Sequence, residues 1–353
     1  IQLVQQGFVS GWDDPRLPTL SGIRRRGVPA AGLRLFCERV GISKADSNID
    51  YTVLEECIRE SMDDIVPRAF CVLKPLKVTI SNWEQGDTTT EDFEVDRHPK
   101  LEDMGTRTIP FGQTLFIERG DFFDLEGPEG ATSGGVSPKG FKRLLPNDKV
   151  RLRYAYVIEC QEVVRDPETG EPIELKCVYY PESRAGVTPE GMDRVKGIIH
   201  WVEASTAIQC TVNQYDRLFL TEEPGKESRD FLKDLNPDSL EVLEGVLVEP
   251  SVANDALAIL GEIKQNEGSS STQIYPSSLA YQFERSGYFA LDKASTGVDN
   301  LTFNRVVTLR DTWGGKKDDA KDSRRARGSE NTTQPAQTSD NNTVEEIRIE
   351  ALH

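Results

Sequence analysis

The longest part of the chain, from about residue 77 to residue 309, consists of short runs of alternating apolar and polar residues separated by turn residues. Successive side chains on a strand point to opposite faces, so this period of two indicates half-buried β-strands. The turn sequence from Asp166 to Gly170 predicts a hairpin between two of these runs. Many short antiparallel strands predict β-barrels rather than a doubly wound sheet, and this length of chain is enough for two of them. The predicted strands are 77–80, 114–117, 150–159, 173–180, 197–203, 207–215, 281–291 and 301–309.

The two ends of the chain differ from this central part. Residues 29–40 carry apolar residues at helical spacing and are followed by Gly41, which predicts a helix that ends there. A second helix is predicted from about Asp50 to Met62, with Asn48 or Asp50 as its cap. The segment 314–353 is rich in Gly, Ser, Thr, Asp and Lys at its start and has few large apolar residues, which predicts a disordered tail.

Composition excludes some function classes and leaves others open. The chain of 353 residues has 37% hydrophobic residues and contains no apolar run of the roughly 18 residues that a membrane helix needs. The net charge of −17 argues against a nucleic-acid partner, although basic residues cluster at 24–26, 139–143 and 149–153. The apolar first residues, without an initiator Met, are what we expect of a fragment that begins inside a packed structure.

Catalytic and metal sites are not predicted for this chain. Phosphate-binding loops, dinucleotide fingerprints and HExxH are absent from the sequence, and the adjacent Asp13 and Asp14 are expected to cap a helix rather than act as acid and base. The six cysteines have no CxxC spacing, so we expect free buried thiols and no zinc site. Free thiols are typical of a reducing compartment, which favours the cytoplasm.

Several longer motifs carry a family resemblance. Gly11-Trp-Asp-Asp-Pro-Arg-Leu-Pro-Thr-Leu20 resembles the segment after the KMSKS-type loop of glutaminyl-tRNA synthetases and eukaryote-type glutamyl-tRNA synthetases. Strings further along the chain resemble the glutaminyl family in particular and occur in the family's order. They are 195–202 (VKGIIHWV), 215–219 (YDRLF), 236–240 (NPDSL), 282–289 (QFERSGYF) and 309–313 (LRDTW).

The resemblance implies a mainly β fold with an N-terminal helical subdomain, two β-barrels of the anticodon-binding type and a disordered C-terminal tail. The implied division is a stem-contacting helical subdomain at 1–75, a proximal barrel from 76–135 and 210–313, a distal barrel at 136–209, and the tail at 314–353. The ATP-binding motifs and the glutamine pocket of the family would lie upstream of Ile1.

The resemblance also implies which residues read the anticodon. Unstacked loop bases are recognised by hydrogen bonds to their edges and by stacking. Arg151 and Arg153, two apart and therefore on one face of a strand, would contact the first base. Lys142 and Arg143 would lie near the third base, and the alternative for this basic group is an ordinary solvated strand face.

A second group would converge on the middle base: Arg68, Gln282 and Arg285. Gln282 and Arg285 would face opposite ways in a flat strand, so the chain must bend there if both contact one base. Asp50 would approach the tRNA body or cap its helix. Arg24, Arg25 and Arg26 are candidates for phosphate contacts or for ion pairs within the protein.

The activity implied is that of a glutamine–tRNA ligase, which activates glutamine with ATP and magnesium and esterifies it to tRNA(Gln). This chain would bind tRNA(Gln) and recognise its anticodon, without a cofactor of its own and inactive alone. We expect a monomer with no DNA or membrane partner. The alternatives are the C-terminal part of a eukaryote- or archaeal-type glutamyl-tRNA synthetase, or a free-standing RNA-binding or scaffold protein.

Overall fold

The computed structural model describes residues 1–44, 48–86, 89–266 and 274–310. The tail at 314–353 that was predicted to be disordered lies outside these ranges. The helices in the described part are α1 Gln2–Gln5, α2 Leu20–Arg26, α3 Ala30–Val40, α4 Tyr51–Asp63, α5 Pro128–Thr132 and α6 Pro250–Asn266. The strands up to the middle of the chain are β1 Arg68–Ala69, β2 Cys71–Val72, β3 Pro75–Ile80, β4 Glu91–Asp96, β5 Thr106–Phe111, β6 Thr114–Glu118, β7 Lys149–Leu152, β8 Val157–Arg165 and β9 Pro172–Tyr180. The later strands are β10 Ile198–Ile199, β11 Trp201–Glu203, β12 Ile208–Tyr215, β13 Leu240–Val248, β14 Ala280–Phe283, β15 Gly287–Leu291 and β16 Thr302–Val307.

The mainly β prediction is confirmed, because most strands form two seven-stranded sheets. The first sheet has the order β10-β7-β8-β9-β3-β6-β11, and the second has the order β1-β14-β15-β16-β12-β13-β2. The edge strands of the first sheet, β10 and β11, are consecutive in the chain and separated only by His200. The edge strands of the second sheet, β1 and β2, are likewise separated only by Phe70. A sheet whose two edges are joined by one residue must curl on itself, so each sheet is a nearly closed barrel.

The two barrels meet at these closure points. The rings of Phe70 and His200 are 6.1 Å apart, and both residues are buried. The backbone N–H of Phe70 donates to the Glu249 carboxylate at 2.8 Å, and that carboxylate forms an ion pair with Arg107 at 2.8 Å. Strand pairing is interrupted at Phe70, and leaving its buried N–H unpaired would cost free energy. The Glu249 carboxylate supplies the hydrogen-bond acceptor for this N–H.

The helical N-terminal part packs on the second barrel. Both helices predicted there are confirmed: α3 ends before Gly41, and α4 begins at Tyr51 after its cap Asp50, whose carboxylate accepts the Thr52 N–H at 2.9 Å. The apolar stripe of α4, which includes Ile58 and Met62, contacts side chains of β15 and β16 in one buried cluster. The two-stranded ribbon β4–β5 packs its apolar face into the core of the first barrel.

The sheet pairing differs from the predicted division of the barrels. Strand β6 and all but the first residue of β3 lie within 76–135, the segment that was assigned to the same barrel as 210–313. They belong instead to the first barrel, because β3 pairs with β9 on one side and with β6 on the other, and β6 pairs in turn with β11. Which barrel lies nearer the body of a longer protein stays a prediction.

Three predicted strands are interrupted, and several elements in the described residues were not predicted. The run 150–159 breaks at Tyr154, whose φ of 68° allows a tight turn in which Leu152 N–H donates to the Tyr156 carbonyl at 2.8 Å. The run 281–291 is a hairpin, and the run 197–203 breaks at His200. Helices α1, α2, α5 and α6 and strands β1, β2, β4, β5 and β13 were absent from the prediction. The hairpin between β8 and β9 is confirmed, with the Asp166 carboxylate accepting two N–H groups of its turn.

Candidate nucleic-acid interface

The β14–β15 hairpin carries Gln282 and Arg285, two of the side chains predicted to contact the anticodon. Phe283 pairs with Gly287 across the hairpin, and Ser286 N–H donates to the Phe283 carbonyl at 2.9 Å. Arg285 lies in the three-residue loop with a φ of 67°, in the left-handed region that a side chain adopts at some cost. The bend required between Gln282 and Arg285 is therefore present, because Gln282 lies in the strand and Arg285 in the turn.

Arg285 extends from the second barrel to a buried carboxylate near the first. Both terminal nitrogens of Arg285 bind the Asp121 carboxylate, Nη2 to Oδ1 at 2.5 Å and Nη1 to Oδ2. The same Nη1 contacts His200 Nδ1 at 3.2 Å. Burial, reinforced by the charge of Arg285, lowers the pKa of His200 to about 4, so the ring is neutral at neutral pH.

A basic cavity of about 490 Å³ lies beside this pair. Arg285 lines it together with Lys142 and Arg143, so the structure brings together residues of both predicted anticodon groups. Arg143 also approaches Asp121, with Nε 3.1 Å from Oδ1, and its Nη1 donates to the Gly120 carbonyl at 2.7 Å. Lys142 is exposed. The complete lining is Pro138, Lys139, Gly140, Phe141, Lys142, Arg143, Lys196, Ile198 and Arg285.

Arg151 and Arg153 have different partners. The terminal nitrogens of Arg151 donate to the carbonyls of Ser183 at 3.0 Å and Val187 at 2.8 Å, and burial lowers the pKa of Arg151. Arg153 lies just beyond the end of β7. Its Nε forms an ion pair with Glu284 Oε2 at 2.5 Å. Burial opposes the charge of Arg153, but the Glu284 carboxylate and the Tyr154 hydroxyl together outweigh it and raise the pKa of Arg153.

Arg68 and Gln282 lie side by side. They are register partners in the parallel pair β1–β14. Arg68 Nη2 donates to Asp63 Oδ1 at 2.6 Å, and this bond, with a second from Lys100, lowers the pKa of Asp63 to about 2. Arg68 Nη1 is buried without a hydrogen-bond partner within the described ranges. A buried donor left unpaired in this way is a candidate to bind an acceptor of a ligand.

The other candidates are mostly engaged within the protein. Arg25 binds Asp292 through Nε at 2.9 Å, and the buried Arg26 donates to the Val306 carbonyl at 3.0 Å. Arg24 is exposed, with its guanidinium 4.8 Å from the centroid of the Tyr275 ring. Asp50 caps α4, as described, and also lies 3.6 Å from Arg217 Nη2.

Asp13 and Asp14 do not cap the following helix, which was the expectation for them. Thr19 is the cap of α2 and accepts the Gly22 N–H at 3.0 Å. Asp14 instead accepts N–H groups of Ser10 and Arg16 and orders the preceding turn. Burial opposes ionisation there, but the hydrogen bonds from Arg16 and Ser10 and the charge of Arg16 together outweigh it and hold the pKa of Asp14 at about 2.

Sequence reasoning missed the residues that hold the arginines. Asp121 and Glu284 lie far along the chain from some of their partners, and no spacing pointed to Asp121. Lys196 and His200 fall inside the 195–202 string, which was quoted for its resemblance without a role for either residue. All six cysteines are free, and Cys37 is the exposed one. Within the described ranges, no group of three or more potential metal ligands occurs, and no helix is both long and apolar enough to cross a membrane.

Comparisons with known proteins cover nearly all of the described chain. Residues 1–64 match the family model of the class I tRNA synthetase (E and Q) catalytic domain, and residues 66–180 and 198–258 match two models of the anti-codon binding domain of the same class. Glutamine–tRNA ligase of Pseudomonas aeruginosa is 45% identical over 315 residues, which is 89% of this chain and 50% of that protein. The glutamine–tRNA ligases of Stutzerimonas stutzeri and Azotobacter vinelandii are 45% and 44% identical over 315 residues.

The chain spans about half the length of these curated relatives. The match nevertheless includes the catalytic-domain model and both anticodon-binding models. This chain belongs to the class I tRNA synthetases of the E and Q group.

Proposed function

We propose that this chain is the tRNA-binding and anticodon-recognising part of a glutamine–tRNA ligase. The observation that carries the proposal is the meeting of Arg285 with Lys142 and Arg143 around one basic cavity. These residues come from two different barrels, and the cavity is large enough for one nucleobase. Arginine and lysine donors beside such a cavity suit the hydrogen-bonding edges of an unstacked loop base.

The roles proposed for individual side chains follow the resemblance and are supported by the geometry to different degrees. Lys142 and Arg143 are proposed at the third anticodon base, with Arg285 on the same cavity. Arg68 and Gln282, which are register partners, are proposed at the middle base. Arg285 is also proposed for the middle base, because only two residues separate it from Gln282.

The first base is proposed to meet the Arg151 and Arg153 segment. Arg153 is the better candidate of the two, because both terminal nitrogens of Arg151 are bonded to backbone carbonyls. Among the weaker candidates for the tRNA body, Arg24 is exposed, whereas Arg25 and Arg26 are held inside the protein. Asp50 stays a weak candidate beside its role as a cap.

The overall reaction is proposed for a longer protein of which this chain would be one part. In the proposed reaction, ATP with magnesium activates glutamine, and the glutaminyl group is esterified to tRNA(Gln). The chain alone is proposed to bind tRNA(Gln) as a monomer in the cytoplasm and to show no aminoacylation. The glutamyl-tRNA synthetase alternative also fits the matching family models, because they cover synthetases for both glutamate (E) and glutamine (Q). The similar proteins are glutamine–tRNA ligases, which favours glutamine.

Binding of the chain to tRNA(Gln) tests the proposal. The same tRNA with a single anticodon base changed, and a tRNA(Glu), serve as comparisons at two salt concentrations. Phosphate contacts weaken with salt, whereas base discrimination persists. We expect a preference of about 1–3 kcal/mol for the matching anticodon base.

Arg285→Ala should abolish most of this preference. Arg165→Ala is the matched control, because Arg165 also binds a buried aspartate, Asp124, but does not line the cavity. Equal, salt-sensitive binding of all tRNAs by the unaltered chain would refute anticodon recognition. A preference for tRNA(Glu) would favour the glutamyl alternative.

A further inference from the structure

Two buried carboxylates, those of Asp121 and Glu284, form ion pairs with three of the proposed base-contacting arginines. The Asp121 side chain is 1% exposed, and it binds Arg285 and Arg143, whose side chains are 28% and 46% exposed. The Glu284 side chain is 7% exposed, and it binds Arg153, whose side chain is 41% exposed. In each case the carboxylate lies on the protein side of the guanidinium, and the arginine retains a solvent-facing part.

These contacts restrict the orientation of each arginine. The Asp121 carboxylate binds both terminal nitrogens of Arg285, which is the bidentate arrangement that a planar guanidinium favours. Arg143 is fixed twice, by the same carboxylate and by the Gly120 carbonyl. Glu284 is itself held, because its Oε1 accepts the Tyr154 hydroxyl at 3.3 Å and lies 3.4 Å from the buried Arg107. Arginines held in this way lose little side-chain freedom when they bind a base.

The carboxylates also change which acceptors the arginines favour. A phosphate carries a full negative charge and would be repelled by the carboxylate behind the guanidinium. The edge of a base is neutral and meets no such repulsion, while it still accepts hydrogen bonds from the free N–H groups. A carboxylate behind an arginine therefore weakens phosphate binding more than base binding.

We propose that Asp121 and Glu284 are positioning residues that bias these arginines toward base edges and away from phosphates. This inference rests on the proposed anticodon recognition. It assigns the discrimination between RNA bases and RNA phosphates to two residues that act through the arginines they bind.

The test is the salt dependence of tRNA binding by Asp121→Asn, measured with the matching tRNA(Gln) and with the anticodon-changed tRNA. Each additional phosphate contact adds about 0.7 to the slope of log K against log salt on a single-stranded loop. Release of two arginines should therefore steepen the slope by about 0.7–1.4, and the roughly 5- to 150-fold preference for the matching base should shrink. Asp124→Asn is the matched control, because it removes a buried carboxylate whose arginine, Arg165, does not line the cavity.

The outcomes separate this inference from the proposed function. If the unaltered chain has no anticodon preference, the proposed function fails. If it has a preference that Asp121→Asn retains with an unchanged slope, the inference alone fails. The same steepening in Asp124→Asn would also overturn it, because the effect would then be a general one of lost acidic charge.

Folding of each variant is checked by circular dichroism before binding is measured. If Asp121→Asn does not fold, Glu284→Gln makes the same test at Arg153, since the buried Arg107 keeps its partner Glu249. There the slope should steepen by about 0.7 and the preference at the base bound by Arg153 should fall. An unchanged slope and preference in a folded Glu284→Gln would overturn the inference.

Discussion

The buried imidazole of His200 should make the stability of the junction between the barrels depend on pH. Burial, reinforced by the charge of Arg285, lowers the pKa of His200 from an ordinary 6.5 to about 4, although the Asp121 charge acts in the opposite direction. Between these two values the unfolded chain binds a proton that the folded chain does not. The stabilisation is therefore complete above pH 6.5 and is lost as the pH falls toward 4.

The size of the effect follows from the shift. The full shift corresponds to about 3 kcal/mol, of which about 2 kcal/mol should be lost between pH 7.5 and pH 5. His200→Gln cannot take up the proton and should lack this part of the pH dependence, whatever its stability at neutral pH. Asp14 and Asp63, whose pKa values are about 2, titrate below this range and are common to both proteins.

Urea unfolding at pH 7.5 and pH 5 measures the difference, with tryptophan fluorescence as the signal because the buried Trp201 is the next residue in the chain. NMR titration of the ring protons gives the pKa of His200 directly, with its resonance assigned from the variant. A pKa near 6.5, or the same pH dependence in both proteins, would show that the ring is not held neutral beside Arg285.

Two further substitutions test the packing that supports the site. Arg107→Met should lower the free energy of unfolding by about 3–5 kcal/mol in urea titrations, because Glu249 and Glu284 would lose their buried partner; a loss under 1 kcal/mol would contradict this account. Gly27→Ala should cost about 1–3 kcal/mol more than Gly41→Ala in thermal unfolding. Both glycines have positive φ, but a Cβ on Gly27 would lie 2.2 Å from a neighbouring side chain, whereas one on Gly41 meets nothing within 4 Å, so equal losses would refute the proposed clash.

The helices and the hairpin turn were predictable because their signals are local. The apolar spacing of α3 ends at Gly41, and the Asp50 cap precedes α4, so each boundary lies within a few residues of its cause. The order of strands in the barrels depends on pairing between distant segments. Strand β3 pairs with β9, about a hundred residues later, and a period of two is the same whichever partner a strand has. This is why the predicted division of the barrels differs from the sheet pairing.

The proposed site was predictable to a similar extent. The arginines and lysines were found because they lie in short basic clusters or in motifs with a family resemblance. Their carboxylate partners were not, since Asp121 is 164 residues from Arg285 in sequence and carries no local pattern. A bend between Gln282 and Arg285 was expected only on the condition that both side chains contact one base. The left-handed φ of Arg285 could not be predicted from its residue type.

The closure of the barrels and the geometry of the proposed site depend on the same residues. Each barrel is closed across a single residue, Phe70 in one and His200 in the other, and these two rings pack together. Arg285 contacts His200 and Asp121 at this junction, while the preceding Glu284 contacts Arg153 beside it. A relative shift of the barrels would therefore move Arg285 away from Asp121 and Arg153 away from Glu284 at once. Loosening the junction should thus impair recognition at more than one base, even where no base-contacting residue has been changed.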